Sequence, residues 1–178
     1  MRIFKYLTIF LVGTVIVFLV AQEAFFVAYK TFFRSVAGSE LIDLPPALSE
    51  KLAPHFNNIS KIKIINFNNV FLNSAMTDCV HIYFPNQEVI KQIKNNSLST
   101  NNFHWLLHEL VHTEQCFELG SEEDYAGARK KYALRWIKEV FYTGIHIRSF
   151  NTRLWHDEMP MEREAEQKAE TLVAQFQN

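Results

Sequence analysis

Apolar residues run from Leu7 to Ala21 with breaks only at Thr8, Gly13 and Thr14, and they resume in "AFFVAY" (24–29). Between Ile3 and Tyr29 the only charged or amide residues are Lys5, Gln22 and Glu23. About 20 such residues suffice to cross a bilayer. The pattern predicts a helix over residues 1–30 that is either a transmembrane anchor or a secretory signal peptide cut near Ala21 or Ala24. No small-x-small cleavage site stands out, which favours the anchor. Either way the remainder is expected outside the cytoplasm, as a single-pass membrane protein or as a secreted one. Basic residues lie on both sides of the segment, so the positive-inside rule sets no orientation.

The pattern then changes. Residues 31–55 are mixed, and "DLPPALSEKLAPHF" carries three of the five prolines, which predicts a stalk or linker with a short helix over Pro46–Leu52. "KIKIINF" (61–67) has the β-branched content of a strand. In "AMTDCVHIYF", Met76, Asp78, Val80, Ile82 and Phe84 alternate with Thr77, Cys79, His81 and Tyr83, the two-residue period of a single strand from Met76 to Phe84. "QEVIKQIKN" (87–95) reads as a short helix and "NSLSTNN" as a loop. Trp105, Leu106, Leu107, Leu110 and Val111 make "HWLLHELVHTEQC" (104–116) helical. A further helix is expected over 121–143, with Ser121 as N-cap and Tyr125, Ala128, Tyr132, Trp136 and Val140 as its apolar stripe. Pro160 opens a last helix whose Met161, Ala165, Ala169, Leu172, Val173 and Phe176 line one face. The expected architecture is α+β: a short antiparallel sheet followed by helices, in one domain over residues 56–178.

Charge narrows the function. The first 34 residues carry Arg2, Lys5, Lys30 and Arg34 against Glu23, a net of +3, so the rest is near −4 within a total of −1. No basic stripe exists for a nucleic acid, and that class is set aside. The two cysteines, Cys79 and Cys116, are either a disulfide in an oxidising compartment or two small buried thiols. Their spacing is not that of a zinc ribbon.

The chemistry lies in His108-Glu109-x-x-His112. Residues four apart on a helix share a face, about 5–6 Å apart at Cβ. Two imidazoles so placed can bind one zinc ion. Glu109 then lies beside the metal without ligating it, where it can take a proton from water and pass it to a leaving group. Chance supplies such a motif in roughly 2% of chains of this composition, so context has to carry it. A catalytic zinc needs a third protein ligand. Glu118 has the spacing of a metzincin third ligand, but that type needs glycine where Gln115 stands. His156 in "RLWHDEMP" is a second candidate. Glu162 in "PMEREAEQKAE" is a third, with Glu166 one turn on to support a ligand histidine, and Glu164 or Glu166 as variants of the same ligand.

"HELVHTEQ" followed by "MEREAEQKA" resembles the gluzincin arrangement of an HExxH helix and a downstream glutamate helix. More narrowly, residues 60–172 are similar to short metallopeptidase-like domains of unknown function with an HELTHxxQ core, some of them in extracellular contractile injection systems. The resemblance implies a zincin-like domain with His108, His112 and Glu162 as zinc ligands and Glu109 as general base. Glu166 stands where gluzincins usually carry aspartate. It also implies a peptide or protein substrate, laid as an added strand along the Met76–Phe84 strand, where His81 and Tyr83 either face the cleft or are ordinary half-buried residues. The partner for the developing oxyanion stays open among His156, Tyr125, Tyr132 and His146, with His156 preferred for its place just before the third-ligand helix. The expected function is a membrane-tethered zinc metallopeptidase. The alternatives are an anchored, non-catalytic interaction module on the same scaffold, or a structural domain with an accidental motif. The oligomeric state is not legible.

Overall fold

The computed structural model describes residues 41–66, 75–120, 124–147 and 156–177. The anchor or signal segment expected over 1–30 lies outside them, and no helix among the described residues is long and apolar enough to cross a membrane. The fold class is α+β.

Three residues, Leu41–Asp43, form β1, and β1 pairs antiparallel with β2 (Lys63–Asn66). Between them lie the helix α1 (Pro46–Leu52) and a 3-10 turn, Ile59–Lys61. Ile42, Leu44, Leu48 and Leu52 are all buried in the main core, so the stretch from Leu41 onward expected to be linker is part of the domain. Its physical cause is the run of apolar side chains on either side of Pro45 and Pro46.

The strand expected from Met76 to Phe84 is two strands. β3 (Met76–Thr77) turns back through Cys79 and Val80 into β4 (His81–Phe84), with Thr77 opposite Ile82 and Met76 opposite Tyr83. Cys79 has φ 70°, the left-handed region where two-residue hairpins usually place glycine. Asp78 closes the turn, since its N–H donates to the His81 carbonyl and its carboxylate accepts the His81 N–H, both at 3.0 Å. The hairpin's β4 then runs parallel to β2, giving a mixed sheet in the order β1-β2-β4-β3 rather than the antiparallel one expected. β4 is parallel to β2 because it is the returning arm of the hairpin and takes the place between β2 and β3.

The helices follow the apolar periodicity. Asn86 caps α2 (Gln87–Lys94) by accepting the Glu88 N–H at 2.8 Å, and Ser99 caps α3 (Thr100–Phe117) through the Asn102 N–H at 3.3 Å. Each such cap stabilises by about 1 kcal/mol. α4 (Tyr125–Ile147) begins later than expected: Asp124 caps it, accepting the Gly127 N–H at 2.8 Å, while Ser121 lies outside the described residues. Of the apolar stripe expected there, Ala128 is buried but Tyr125 is exposed, and Ile137 and Thr143 are the other buried positions among the described side chains. α5 (Pro160–Gln177) buries Met161, Ala165, Ala169 and Leu172 as its pattern requires.

α3 is the centre of the domain. Leu106, Leu107, Leu110 and Val111 pack with Ile64, Ile82 and Phe84 of the sheet and with Ala165, Ala169 and Leu172 of α5 in one core. Each fully buried aliphatic side chain contributes roughly 1.5–3 kcal/mol. Two further ties place the pieces around it. Cys79 and Cys116 form a disulfide between the β3–β4 turn and α3, Cα to Cα 5.3 Å. At Gly120 a Cβ would stand 2.5 Å from the Ala128 Cβ, so only glycine lets α4 cross this close to the end of α3.

Candidate metal centre

With α3 and α5 antiparallel, the last two turns of α3 face the first turns of α5. His108 and His112, one turn apart on α3, meet Glu162 from the first turn of α5. Their Nε2 atoms lie 3.1 Å from each other and 3.3 and 3.1 Å from the same Glu162 Oε2. These three are the group that could hold a metal ion among the described residues, and their donor atoms lie within 4.8 Å of one another. His112 (5% exposed), Glu162 (6%) and Glu109 (6%) are buried polar groups, with Gln115 and Thr113 of α3 buried near them in the sequence.

The surrounding hydrogen bonds decide which lone pairs point inward. The Gln115 Nε2 donates to the Met161 carbonyl at 2.9 Å and to the Glu164 carboxylate at 3.0 Å, both of which can only accept. The Gln115 Oε1 must therefore face His112, and at 2.8 Å it accepts the His112 Nδ1–H. Glu166 likewise accepts the His108 Nδ1–H at 3.1 Å. Both imidazoles then carry their neutral proton on the outside and aim an Nε2 lone pair at the Glu162 carboxylate. Three lone pairs converging on one buried point repel one another unless a cation lies between them.

Two cations qualify. One is a proton on His112: burial pulls its pKa down, but the hydrogen bond and charge of Glu162, the charge of Glu109 and the bond to Gln115 outweigh that and raise it to about 9. Glu162 shows the mirror effect, since burial alone would raise its pKa, yet its contacts with His108 and His112 and the charges of His112 and His156 hold it well below the ordinary carboxylate value. The other is a metal ion. Tetrahedral ligands at roughly 2.0–2.1 Å from zinc lie about 3.3–3.4 Å apart, and the three donors here stand at 3.1–3.3 Å. The donor set fits the ion in chemistry and in spacing, and three protein ligands leave a position for a further one.

The remaining candidates sort by position. Glu109, next to His108 on α3, accepts the Thr77 hydroxyl of β3 at 2.6 Å. His156 reaches the other oxygen of Glu162, Nε2 to Oε1 3.4 Å, and stays more than half exposed, so it borders the triad without joining it. Glu118 is exposed beyond the end of α3, outside the cluster. Glu164 faces Gln115 and Arg135 instead of the triad. Tyr125 packs on Phe117, while the side chain of His146 is outside the described set. His81 and Tyr83 both bind the buried Asp78 carboxylate, at 2.7 and 3.0 Å. Tyr132 of α4 is brought in. Its ring lies 6.5 Å from that of His112, and burial plus the charges of Glu162 and Glu109 push its phenol pKa far up, so it stays protonated.

Sequence reasoning missed Gln115, Thr77 and His104, whose Nε2 lies 3.5 Å from Glu166. Two of them left a readable trace: Gln115 closes the HELVHTEQ stretch, and His104 continues the four-residue spacing before His108 and His112. No protein-family model, curated protein or solved structure matches the chain.

Proposed function

We propose that the domain is a zinc-dependent peptidase of gluzincin type, tethered at a membrane and working outside the cytoplasm. The observation that carries this reading is the convergence of the His108, His112 and Glu162 lone pairs beside a buried carboxylate, Glu109, that the triad does not use. A bound zinc supplies Lewis acidity, polarising a carbonyl and lowering the pKa of water. The protein's own groups do the rest. Glu109, aimed by the Thr77 hydroxyl, takes a proton from the attacking water and returns it to the leaving amine. Tyr132, kept protonated, donates to the oxyanion that develops on the substrate carbonyl. His156, the exposed neighbour of Glu162, is the alternative donor. β3 is the outermost strand on the side of α3, where an extended peptide would add to the sheet. The Cys79–Cys116 disulfide and the apolar N-terminus support an oxidising compartment beyond a membrane.

The test is metal analysis of the purified full chain in detergent, followed by cleavage of a diverse peptide library. One zinc per chain is expected. Glu109→Gln should keep that zinc and lose roughly 10²–10⁴-fold in cleavage rate. A chain that holds zinc and cleaves nothing would make it a non-catalytic module, and a chain that binds no divalent ion would remove the site itself.

A further inference from the structure

The third ligand is only as well placed as the first turn of α5, and that turn is fastened in an unusual way. Met161, immediately before Glu162, is held at both ends of its backbone: its N–H donates to the Glu139 carboxylate of α4 at 2.9 Å, and its carbonyl accepts from Gln115 of α3 at 2.9 Å. The two arms are joined behind it. Glu139 accepts from Arg135 at 2.9 Å, Arg135 lies 3.6 Å from Glu164, and Glu164 accepts the second Gln115 N–H at 3.0 Å. Gln115, Met161, Glu139, Arg135 and Glu164 thus form a closed polar ring that ties three helices beneath Glu162.

Gln115 is the one member of that ring that also touches a ligand histidine. Its amide is fully used: two N–H groups go to α5 and the oxygen to the His112 Nδ1–H, with the side chain 2% exposed. A carboxylate in its place has the acceptor but neither donor, and a leucine has none. We propose that Gln115 is a positioning residue that joins two requirements of the metal centre in one side chain, turning the His112 lone pair inward and seating Glu162 opposite it. This rests on the metal-centre reading above and extends it: docking of α5 and readiness of His112 become a single event. The usual outer partner of a metal histidine is a carboxylate, a carbonyl or a water. An amide is needed here because the same group must donate to the incoming helix.

The experiment measures zinc affinity of the full chain by competition with a chromogenic chelator, together with the visible spectrum of the cobalt(II)-loaded protein. The variants are Gln115→Leu, Gln115→Glu and Arg135→Leu. Each is read below the melting temperature of its own chelated form, so that a folding defect is separated from a binding defect. Gln115→Leu should weaken zinc by about 10–100-fold, the range for lost supporting partners, and alter the cobalt spectrum. Gln115→Glu should weaken it as well. Arg135→Leu, which touches neither the ion nor a ligand and is partly exposed, should weaken it by a smaller factor through the ring alone. In a Glu162→Ala background, where no third ligand remains to be seated, Gln115→Leu should cost less than in the wild type. A wild type that binds zinc tightly while Gln115→Leu binds it equally well overturns the proposal and leaves the centre standing. So does full affinity in Gln115→Glu, which would mean that orientation of His112 alone matters. A wild type that binds no zinc overturns the underlying site instead.

Discussion

Toward the N-terminal end of α3 the helix pair meets through Phe103, Leu106, Leu172 and Phe176, with Phe103 and Phe176 edge-on at 5.4 Å and Lys51 of α1 above both rings. Further along, the same two helices meet through His108, His112, Gln115, Glu162, Glu164 and Glu166. The first end is held mainly by area, with one long exposed hydrogen bond from Gln177 to Thr100 beside it, and many apolar side chains of similar volume would serve. The second end fixes each group by a bond with a direction, and its three central donor atoms need a proton or a metal ion between them. One end stabilises the fold; the other gathers donor atoms that could hold a cation, which is what a site needs and a core avoids. Substitutions at the two ends should therefore separate cleanly in what they damage.

The largest separation is expected at Glu162→Ala. Structural zinc binding is worth about 10–16 kcal/mol spread over its ligands, so removing one should cost roughly 3–4 kcal/mol, on the order of a thousandfold in affinity. Chelator competition measures it. An affinity within tenfold of the wild type would place the third ligand elsewhere and collapse the contrast.

Next comes Leu172→Ala at the apolar end, buried in the main core. A cavity there should lower unfolding stability by roughly 2–5 kcal/mol and leave zinc affinity of the folded protein within a few-fold of the wild type. Denaturant unfolding of the chelated protein gives the first quantity and competition the second. A comparable loss in both would mean that the two ends are mechanically one.

pH sharpens the contrast at a smaller scale. In the metal-free protein the His112 pKa is raised from 6.5 to about 9. Its contribution is full below 6.5 and is lost as pH rises through about 9. Glu162, lowered from 4.5, contributes above that value and loses its contribution as pH falls below it. The chelated protein should thus be most stable between about 4.5 and 6.5 and lose on the order of 1–3 kcal/mol by pH 9. A zinc ion bound through His112 would displace its proton, so zinc affinity should rise over the same range. Thermal unfolding with and without zinc, from pH 5 to 9, reads both slopes. A chelated protein that melts alike at pH 6 and pH 9 would mean that no proton takes the cation's place.

The two ends also differed in how far the sequence disclosed them. The spacing of His108 and His112 is fixed by the helix they share, so their meeting was legible from local periodicity, whereas Glu162 was one of several candidates and its place beside them depends on how α5 packs on α3. The roles of Gln115 and Thr77 were not legible, because each depends on how closely a distant element approaches: α5 for Gln115, β3 for Glu109's partner. The β3–β4 turn was hidden for another reason. Alternation from Met76 to Phe84 runs straight through it, and Cys79 takes the left-handed backbone without a glycine to announce it. β1 is three residues long, too short to show a period at all.

The smallest effect tests the apolar end at its most polar point. The Lys51 Nζ lies 4.4 Å from the centre of the Phe176 ring and 5.3 Å from that of Phe103. Exposed cation–π pairs contribute about 0.5–1 kcal/mol. Lys51→Met keeps an unbranched apolar stem and removes the charge, but Lys51 also lies in the last turn of α1, where a cation favours the helix dipole. The single variant therefore mixes two terms. A double-mutant cycle with Phe176→Leu isolates the ring contribution, expected at about 0.5–1 kcal/mol in the unfolding of the chelated protein. Zinc affinity should not move, since no bond links Lys51 to the triad. A coupling near zero would make the charge a solvated neighbour of the rings. A shift in zinc affinity would carry more weight, because it would mean that the aromatic end transmits its packing along α5 to Glu162, and that the division between a stabilising half and a binding half is not one the protein makes.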